Sequence, residues 1–116
     1  MSNAIDDVLA ERRRQIEVEG WTADHDDQHS DGSLALAACC YASAASAYAE
    51  VCAGGGAPPL NDYRRLQPCY NWPKSWSRSW WKLKSPRRDL VRAAALLIAE
   101  IERVDRAVER GEEAAQ

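Results

Sequence analysis

The fold is decided by residues 85–111, which read SPRRDLVRAAALLIAEIERVDRAVERG. Ser85 followed by Pro86 is typical of a helix start, because the hydroxyl caps the first turn and proline fits there. Apolar residues then recur at helical spacing down to Gly111: Leu90, Val91, Ala94, Leu97, Ile98, Ile101, Val104 and Val108. The segment therefore predicts a long helix over residues 86–110.

Two earlier segments also predict long helices. The first covers residues 3–19, where residues recur at helical spacing before Gly20: Ile5, Val8, Leu9, Arg12 and Ile16. The second covers residues 33–53, which are rich in alanine and end at three consecutive glycines. Its small side chains allow close approach of another backbone, so we predict that it is the central helix.

These patterns together predict an all-α protein of three main helices with a tryptophan-rich connector. No alternating pattern typical of strands competes with them. We expect residues 1–111 to form a single helical domain and residues 112–116 to form a frayed tail. The apolar stripe of the last helix is longer than two other helices can cover, which predicts a homo-oligomer, most simply a dimer, with that helix at the interface.

Charge is distributed unevenly along the chain. Residues 61–88 carry eight Lys or Arg and one acidic residue, Asp62, whereas the remainder carries seven basic and seventeen acidic residues. Such a field attracts a small anion to one face, while the acidic remainder disfavours general binding of DNA or RNA. We therefore expect a small anionic ligand.

The sequence also suggests a compartment. It shows no signal-peptide pattern and no apolar run long enough to span a bilayer, so we expect a cytoplasmic protein without a membrane partner. The four cysteines lack the paired spacing of a metal site, and no disulfide is predicted. Cys39, Cys40 and Cys52 lie among alanines and are expected to be buried as small hydrophobic residues.

Four of the five tryptophans fall within residues 72–81, in a stretch that contains basic residues and no acidic ones. Indole rings stack on bases while Arg and Lys hold phosphate, so the pattern predicts a nucleotide-like or other phosphorylated ligand. The candidate ligand-binding residues are Trp21, Arg78, Trp80, Trp81, Lys82, Arg87 and Arg88. Trp72, Trp76 and Trp80 have the spacing of one helical face, and adjacent Trp80 and Trp81 cannot both face inward.

Some of these candidates have a second interpretation. Arg87 and Arg88 lie in the first helical turn, where positive charge opposes the helix dipole. They either hold a phosphate with the free backbone N–H groups or pair with acidic groups of the first helix or of a second subunit. Trp21 either anchors its loop to the core or stacks on a ligand.

Two sets of residues carry metal-binding atoms. His25, Asp26 and His29 combine imidazole with carboxylate, which suits a divalent transition metal. The alternative is that this loop caps the second helix and that one carboxylate pairs with an arginine of residues 12–14. Glu102 and Asp105 lie on one face of the last helix, which suits magnesium, and the alternative is an exposed salt-bridged face.

A set of short motifs carries a resemblance to a known family. They are Glu11-Arg12-Arg13-Arg14-Gln15, Gly20-Trp21-Thr22, His25-Asp26-Asp27, Leu34-Ala35 through Tyr41-Ala42, Trp80-Trp81-Lys82 and Arg87-Arg88-Asp89-Leu90-Val91 through Ala99-Glu100-Ile101-Glu102-Arg103. Over residues 11–107 the chain resembles a family of small proteins from tailed bacteriophages and prophages. The resemblance implies a phage or prophage origin and an accessory role against host pathways or antiviral defence, in the cytoplasm of the bacterial host. It implies no reaction.

A fainter similarity connects the chain to MazG-type all-α nucleotide pyrophosphohydrolases. It rests on the helical layout and on Glu102 and Asp105, and it implies magnesium as a cofactor. The matching acidic pair on the central helix is missing, because that helix offers only Glu50.

Three hypotheses follow. The first is a phage-type protein that binds a nucleotide-like or phosphorylated ligand without catalysis and without a cofactor, sequestering a host signalling or defence molecule. The second is a magnesium-dependent pyrophosphohydrolase. The third is an adaptor that inhibits a host protein.

Overall fold

The computed structural model describes residues 3–114 and is all-α, with no strand in that range. Three long helices form its frame: α1 (Ala4–Glu17), α3 (Ser33–Ala53) and α5 (Pro86–Glu109). Two single-turn helices, α2 (Ala23–Asp27) and α4 (Leu60–Arg64), and a 3-10 turn (Arg78–Trp80) lie in the connections. The three predicted helices are confirmed within two residues at each end, whereas α2 and α4 were not predicted.

Local caps explain where these helices begin and end. The Ser85 hydroxyl accepts a hydrogen bond from the backbone N–H of Arg88, and Pro86 occupies the first turn, as predicted. Asn3 caps α1 in the same way. After α1, Gly20 adopts a φ of +74°, a left-handed conformation that glycine takes without steric cost. Short-range sequence signals therefore set the frame.

The core forms where α3 packs against α5. Alanines are frequent on both contact faces, as with Ala37 and Ala44 on α3 and Ala93 and Ala99 on α5. Small side chains allow the two backbones to approach closely. The prediction that α3 is the central helix was wrong, because α5 packs against α1, α2 and α3, whereas α3 packs chiefly against α5. By length and composition α3 could cross a membrane, but core helices have the same properties and this helix is a core helix here.

The apolar stripe of α5 lies largely outside this core. Leu90, Leu97 and Ile101 are exposed, and the buried face of α5 is instead its alanine-rich side, on which Val91 and Leu96 are the larger apolar residues. The stripe therefore remains available for a partner.

Helix α1 is also turned differently from the simple expectation. Ile5, Leu9 and Ile16 of its predicted apolar face are exposed. The buried residues of α1 are polar: Glu11, Arg12 and Gln15. The reason is electrostatic, because these residues make hydrogen bonds and ion pairs with the rest of the fold.

The tryptophan segment, residues 72–81, is not the short helix that its spacing suggested. Its first part consists of turns, and the 3-10 turn contains only Trp80 of the three spaced tryptophans. Pro73 lacks the N–H that an α-helix needs, which explains the irregular backbone. The predicted exposure of one ring is confirmed, since Trp80 is 53% exposed.

The cysteines and the end of the chain differ in part from what the sequence predicted. All four cysteines are free thiols, but only Cys40 is buried, so the expectation was wrong for Cys39 and Cys52, which lie on exposed positions of α3. In the predicted tail, Glu113 pairs with Arg103 at 3.0 Å and residues 115–116 lie outside the described part.

Candidate functional site

A cleft of about 500 Å³ opens between the tryptophan segment and helices α1, α2, α3 and α5. This volume is typical of small-molecule sites. Six of its fifteen lining residues have aromatic rings: Trp21, His25, His29, Tyr41, Trp76 and Trp80. The cleft is therefore suited to a planar ligand.

Trp76 organises the aromatic side of the cleft. It contacts Trp21 edge-on, with ring centroids 6.4 Å apart, and Trp80 in the same manner at 5.6 Å. Trp76 itself is buried, whereas Trp80 remains half exposed. A face of Trp80 is therefore accessible for stacking against a base.

A buried carboxylate and a buried amide from α1 line the opposite side. Glu11 accepts hydrogen bonds from Arg14 at 2.8 Å and from Gln15 Nε2 at 3.2 Å, and it pairs with Arg88. Burial by itself raises the pKa of Glu11, but the Arg14 hydrogen bond and the charges of Arg88 and Arg14 bring it below its ordinary value. Glu11 is therefore ionised near neutral pH.

The ionised state of Glu11 fixes the orientation of the Gln15 amide. A carboxylate only accepts hydrogen bonds, so the amide nitrogen of Gln15 must face it. Gln15 Oε1 is then a buried acceptor without a partner in the described part of the chain, and Trp76 Nε1 is a buried donor in the same condition. Such groups cost about 1–3 kcal/mol each when left unpaired.

Two of the four cations in the lining are already paired. Arg14 binds Glu11 and Glu19, the latter at 2.9 Å. Arg92 donates to Asp89 at 2.8 Å, and its guanidinium lies 4.3 Å from the ring centroid of Tyr41.

Lys82 and Lys84 are the cations that remain available. Both are exposed at the cleft, and neither has an ion-pair partner within residues 3–114. Two hydrogen bonds to α5 hold their backbone: Arg92 donates to the Lys82 carbonyl at 2.7 Å, and the Lys84 N–H donates to Asp89 at 3.0 Å. The two ammonium groups are thus carried on an anchored segment and can meet an anion.

A histidine–aspartate pair, His25 and Asp26, lies on α2 at one end of the cleft. Asp26 is fully buried and accepts from Arg12 and from His25 Nδ1, both at 2.9 Å. Because a carboxylate only accepts, Nδ1 is the donor of the bond to Asp26, and Nε2 is the ring nitrogen that this bond leaves free. Such an imidazole can bind a donor or act as a base.

The neighbouring rings hold this pair in place. His25 stacks on Trp21 at 5.6 Å with nearly parallel planes, and the His29 ring lies 4.8 Å away from it. Burial, with the charge of His25 as a smaller cause, lowers the pKa of His29. His29 is therefore neutral at pH 7.

Three of the predicted ligand-binding residues meet at this cleft: Trp21, Trp80 and Lys82. Trp21 packs against the core, as its first interpretation required, and it also lines the cleft. Trp81 does not line it, because its ring stacks on Tyr41 at 4.9 Å and its Nε1 donates to the Leu66 carbonyl.

The predicted arginines also lie elsewhere. Arg87 pairs with Asp7 at 2.8 Å and Arg88 pairs with Glu11, so the interpretation in which both meet acidic residues of the first helix describes the structure. The Arg78 guanidinium donates to the Gln67 side chain, at 3.5 Å. None of the three lines the cleft.

Neither predicted metal set is assembled. Among residues 3–114 there is no group of three or more His, Cys, Asp or Glu side chains placed to hold a metal ion. Asp26 pairs with Arg12, and Asp31 accepts from the Ser33 N–H at the start of α3, which confirms the alternative for that loop. Glu102 pairs with Arg12 at 3.2 Å, and Asp105 is exposed on α5.

Sequence reasoning missed Glu11, Gln15, Tyr41, Lys84 and Arg92 as cleft residues. One signal could have found the first two. They are four residues apart on α1, so they share a helical face, and polar residues on a buried face call for a functional explanation. The other three depend on tertiary contacts.

Comparison with models of protein families, with curated proteins and with solved structures found no match.

Proposed function

We propose that this protein binds a nucleotide-like, phosphorylated small molecule in the aromatic cleft and does not convert it chemically. The observation that carries the proposal is the half-exposed Trp80 ring beside Lys82 and Lys84, two cations without ion-pair partners in the described chain. A base would stack on the ring while the ammonium groups neutralise phosphate.

The polar atoms of the cleft support the same ligand class. Gln15 and Trp76 line the cleft, and each carries a buried atom without a partner in the described chain: the acceptor Oε1 and the donor Nε1. Heterocyclic bases present both kinds of group on their edges. A purely aliphatic anion would leave both unpaired. With the resemblance to phage proteins, this favours sequestration of a host signalling nucleotide as the role of binding.

Titration against a nucleotide panel tests the proposal. Adenosine and guanosine mono-, di- and triphosphates and cyclic dinucleotides would be titrated by tryptophan fluorescence and calorimetry. At least one is expected to bind with a Kd well below 1 mM. Absence of binding by every member at 1 mM would overturn the proposal.

Matched variants locate the site. Trp80→Ala is expected to weaken binding about tenfold or more, since stacking contributes about 1–3 kcal/mol per base. Tyr70→Ala is the control, because Tyr70 is 96% exposed and lies outside the cleft. Lys82→Ala is compared with Lys74→Ala in the same way. Equal effects of the Trp80 and Tyr70 variants would place binding elsewhere.

A second candidate function is hydrolysis of the bound ligand with His25 as base, and the His25–Asp26 hydrogen bond in the cleft favours it. Chromatography of the ligand after incubation separates the two functions. Intact ligand supports pure binding, whereas product formation that disappears in His25→Ala would establish turnover. The pyrophosphohydrolase based on Glu102 and Asp105 is not proposed, because neither residue lines the cleft.

A further inference from the structure

One face of α5 carries only apolar side chains. Six residues at alternating spacings of four and three form it: Leu90, Ala94, Leu97, Ile101, Val104 and Val108. This spacing keeps them in one narrow stripe and is the spacing of helix-pairing seams. Leu90, Leu97 and Ile101 are 48%, 46% and 60% exposed.

The apolar surface continues onto α1. Ile5 and Leu9 line a shallow groove with Ile98, and no polar atom contributes to its surface. Ile5 is 70% exposed and Leu9 is 46% exposed. Soluble monomers rarely expose large contiguous apolar surfaces, so an apolar surface that extends over two helices favours a covering partner.

We propose that a second copy of this chain covers this surface, with α5 packed antiparallel against α5 about a twofold axis. The charges beside the stripe specify this occupant and its direction. Arg87 and Asp105 are 18 residues apart, five helical turns, and therefore lie on the same flank of the stripe. In an antiparallel pair related by a twofold axis, the same flank of the stripe on each copy faces that of the other, and the two helices run in opposite directions. Arg87 of each copy therefore lies near Asp105 of the other.

The packing and the helix dipoles agree with this arrangement. A seam with a spacing of four and three is complementary to itself, since each side chain fits between those of an identical helix. Antiparallel helices also oppose their dipoles, whereas a parallel pair would bring the two Arg87 residues together. The cleft is on another side of α5, so the pairing is independent of ligand binding.

Mass measurement in solution tests the pairing. Light scattering and sedimentation between about 1 and 500 μM should give about twice the chain mass of 12.9 kDa. Leu97→Glu with Ile101→Glu should give a monomer with unchanged helical circular dichroism, because both side chains are exposed within one chain. Val51→Glu, at a 49% exposed position of α3, is the control and should remain dimeric.

A charge exchange tests the direction. Arg87→Glu should weaken self-association about tenfold, and adding Asp105→Arg should restore it. Asp7→Asn removes the partner of Arg87 within the chain and should leave association unchanged. A monomer at every concentration, or a dimer that survives the Leu97 and Ile101 changes, would overturn the proposal and leave the surface to a different protein or a lipid. If the double variant does not recover self-association, the antiparallel direction would be overturned.

Discussion

Replacing Asp89 with asparagine should unfold this protein more readily than most single substitutions of similar size. Asp89 is fully buried and joins three parts of the chain. It accepts from the Tyr63 hydroxyl at 2.7 Å, from Arg92 at 2.8 Å and from the Lys84 N–H at 3.0 Å. It therefore anchors both α4 and the segment that carries the cleft lysines.

The magnitude follows from these contacts. Asparagine has one acceptor oxygen, and its NH₂ group would face a donor in either orientation. Breaking a buried ion pair costs about 3–5 kcal/mol, and a hydrogen bond to a charged group contributes about 1.5–3 kcal/mol. Because the isostere keeps some contacts, we expect Asp89→Asn to lower the free energy of unfolding by about 3 kcal/mol and the Tm by roughly 10 °C.

Urea unfolding, followed by tryptophan fluorescence and circular dichroism, measures this loss. Asp62→Asn is the control, because Asp62 is exposed and lies 4.0 Å from Arg65, so its loss should stay below about 0.5 kcal/mol. Tyr63→Phe alone should cost about 2 kcal/mol, and the double variant should cost less than the sum. A loss for Asp89→Asn as small as for the control, or strict additivity with Tyr63→Phe, would refute the reasoning.

The hydroxyl of Tyr63 adds an alkaline signature to the same network. Burial, reinforced by the hydrogen bond to Asp89, raises the pKa of Tyr63 above its ordinary value. The protonated form is favoured in the folded state, so its contribution is complete below about pH 10 and is lost as the pH rises further. Tyr63→Phe should flatten the stability curve in that range.

Three further outcomes are expected. Because burial and the charge of His25 lower the pKa of His29, its contribution to stability is present above about pH 6.5 and is lost as the pH falls, and His29→Gln should reduce this slope in urea titrations. Leu96→Ala should cost about 2–5 kcal/mol, since Leu96 is buried in the core, whereas the exposed Leu66→Ala should cost below about 1 kcal/mol. Burial raises the pKa of Cys40 to about 12, so a thiol reagent should label exposed Cys39 in the folded protein and Cys40 only after unfolding; equal rates would contradict this.

The long helices could be predicted because their signals are local. Ser85 and Pro86 begin α5 by capping chemistry, and Gly55, just after α3, adopts a φ of +93° that favours glycine. The alanine content of α3 favours a helix whatever surrounds it. None of these signals depends on a distant residue, so the sequence was sufficient for them.

The faces of those helices could not be predicted in the same way. The helical spacing of Ile5 and Leu9 predicted that they face the core. Both are exposed, because contacts between distant residues determine which side of α1 is buried. Arg12 reaches Glu102, 90 residues away, and Arg88 reaches Glu11, 77 residues away. These ion pairs bury the polar side of α1.

The candidate site was predictable in composition and not in detail. The clustering of tryptophans and lysines in the sequence predicted aromatic rings beside cations, and Trp80 and Lys82 both line the cleft. Which cations remain available depends on Asp89 and on the acidic residues of α1, because these pair the arginines and leave the lysines unpaired. The spacing of residues in the sequence does not show which cations pair with these carboxylates.

The placement of polar and apolar groups links the two proposed surfaces. A chain selected for monomer stability alone would bury Leu97 and expose Glu11, because buried leucine contributes about 1.5–3 kcal/mol whereas a buried charge carries a desolvation cost. This chain does the reverse: Glu11 is 1% exposed at the cleft, and Leu97 is 46% exposed on α5. Departures from the stable arrangement concentrate at functional surfaces. The buried carboxylate lies at the ring-lined cleft and the exposed leucine lies in the α5 stripe, so the proposed ligand binding and the proposed self-association would account for different parts of the same sequence.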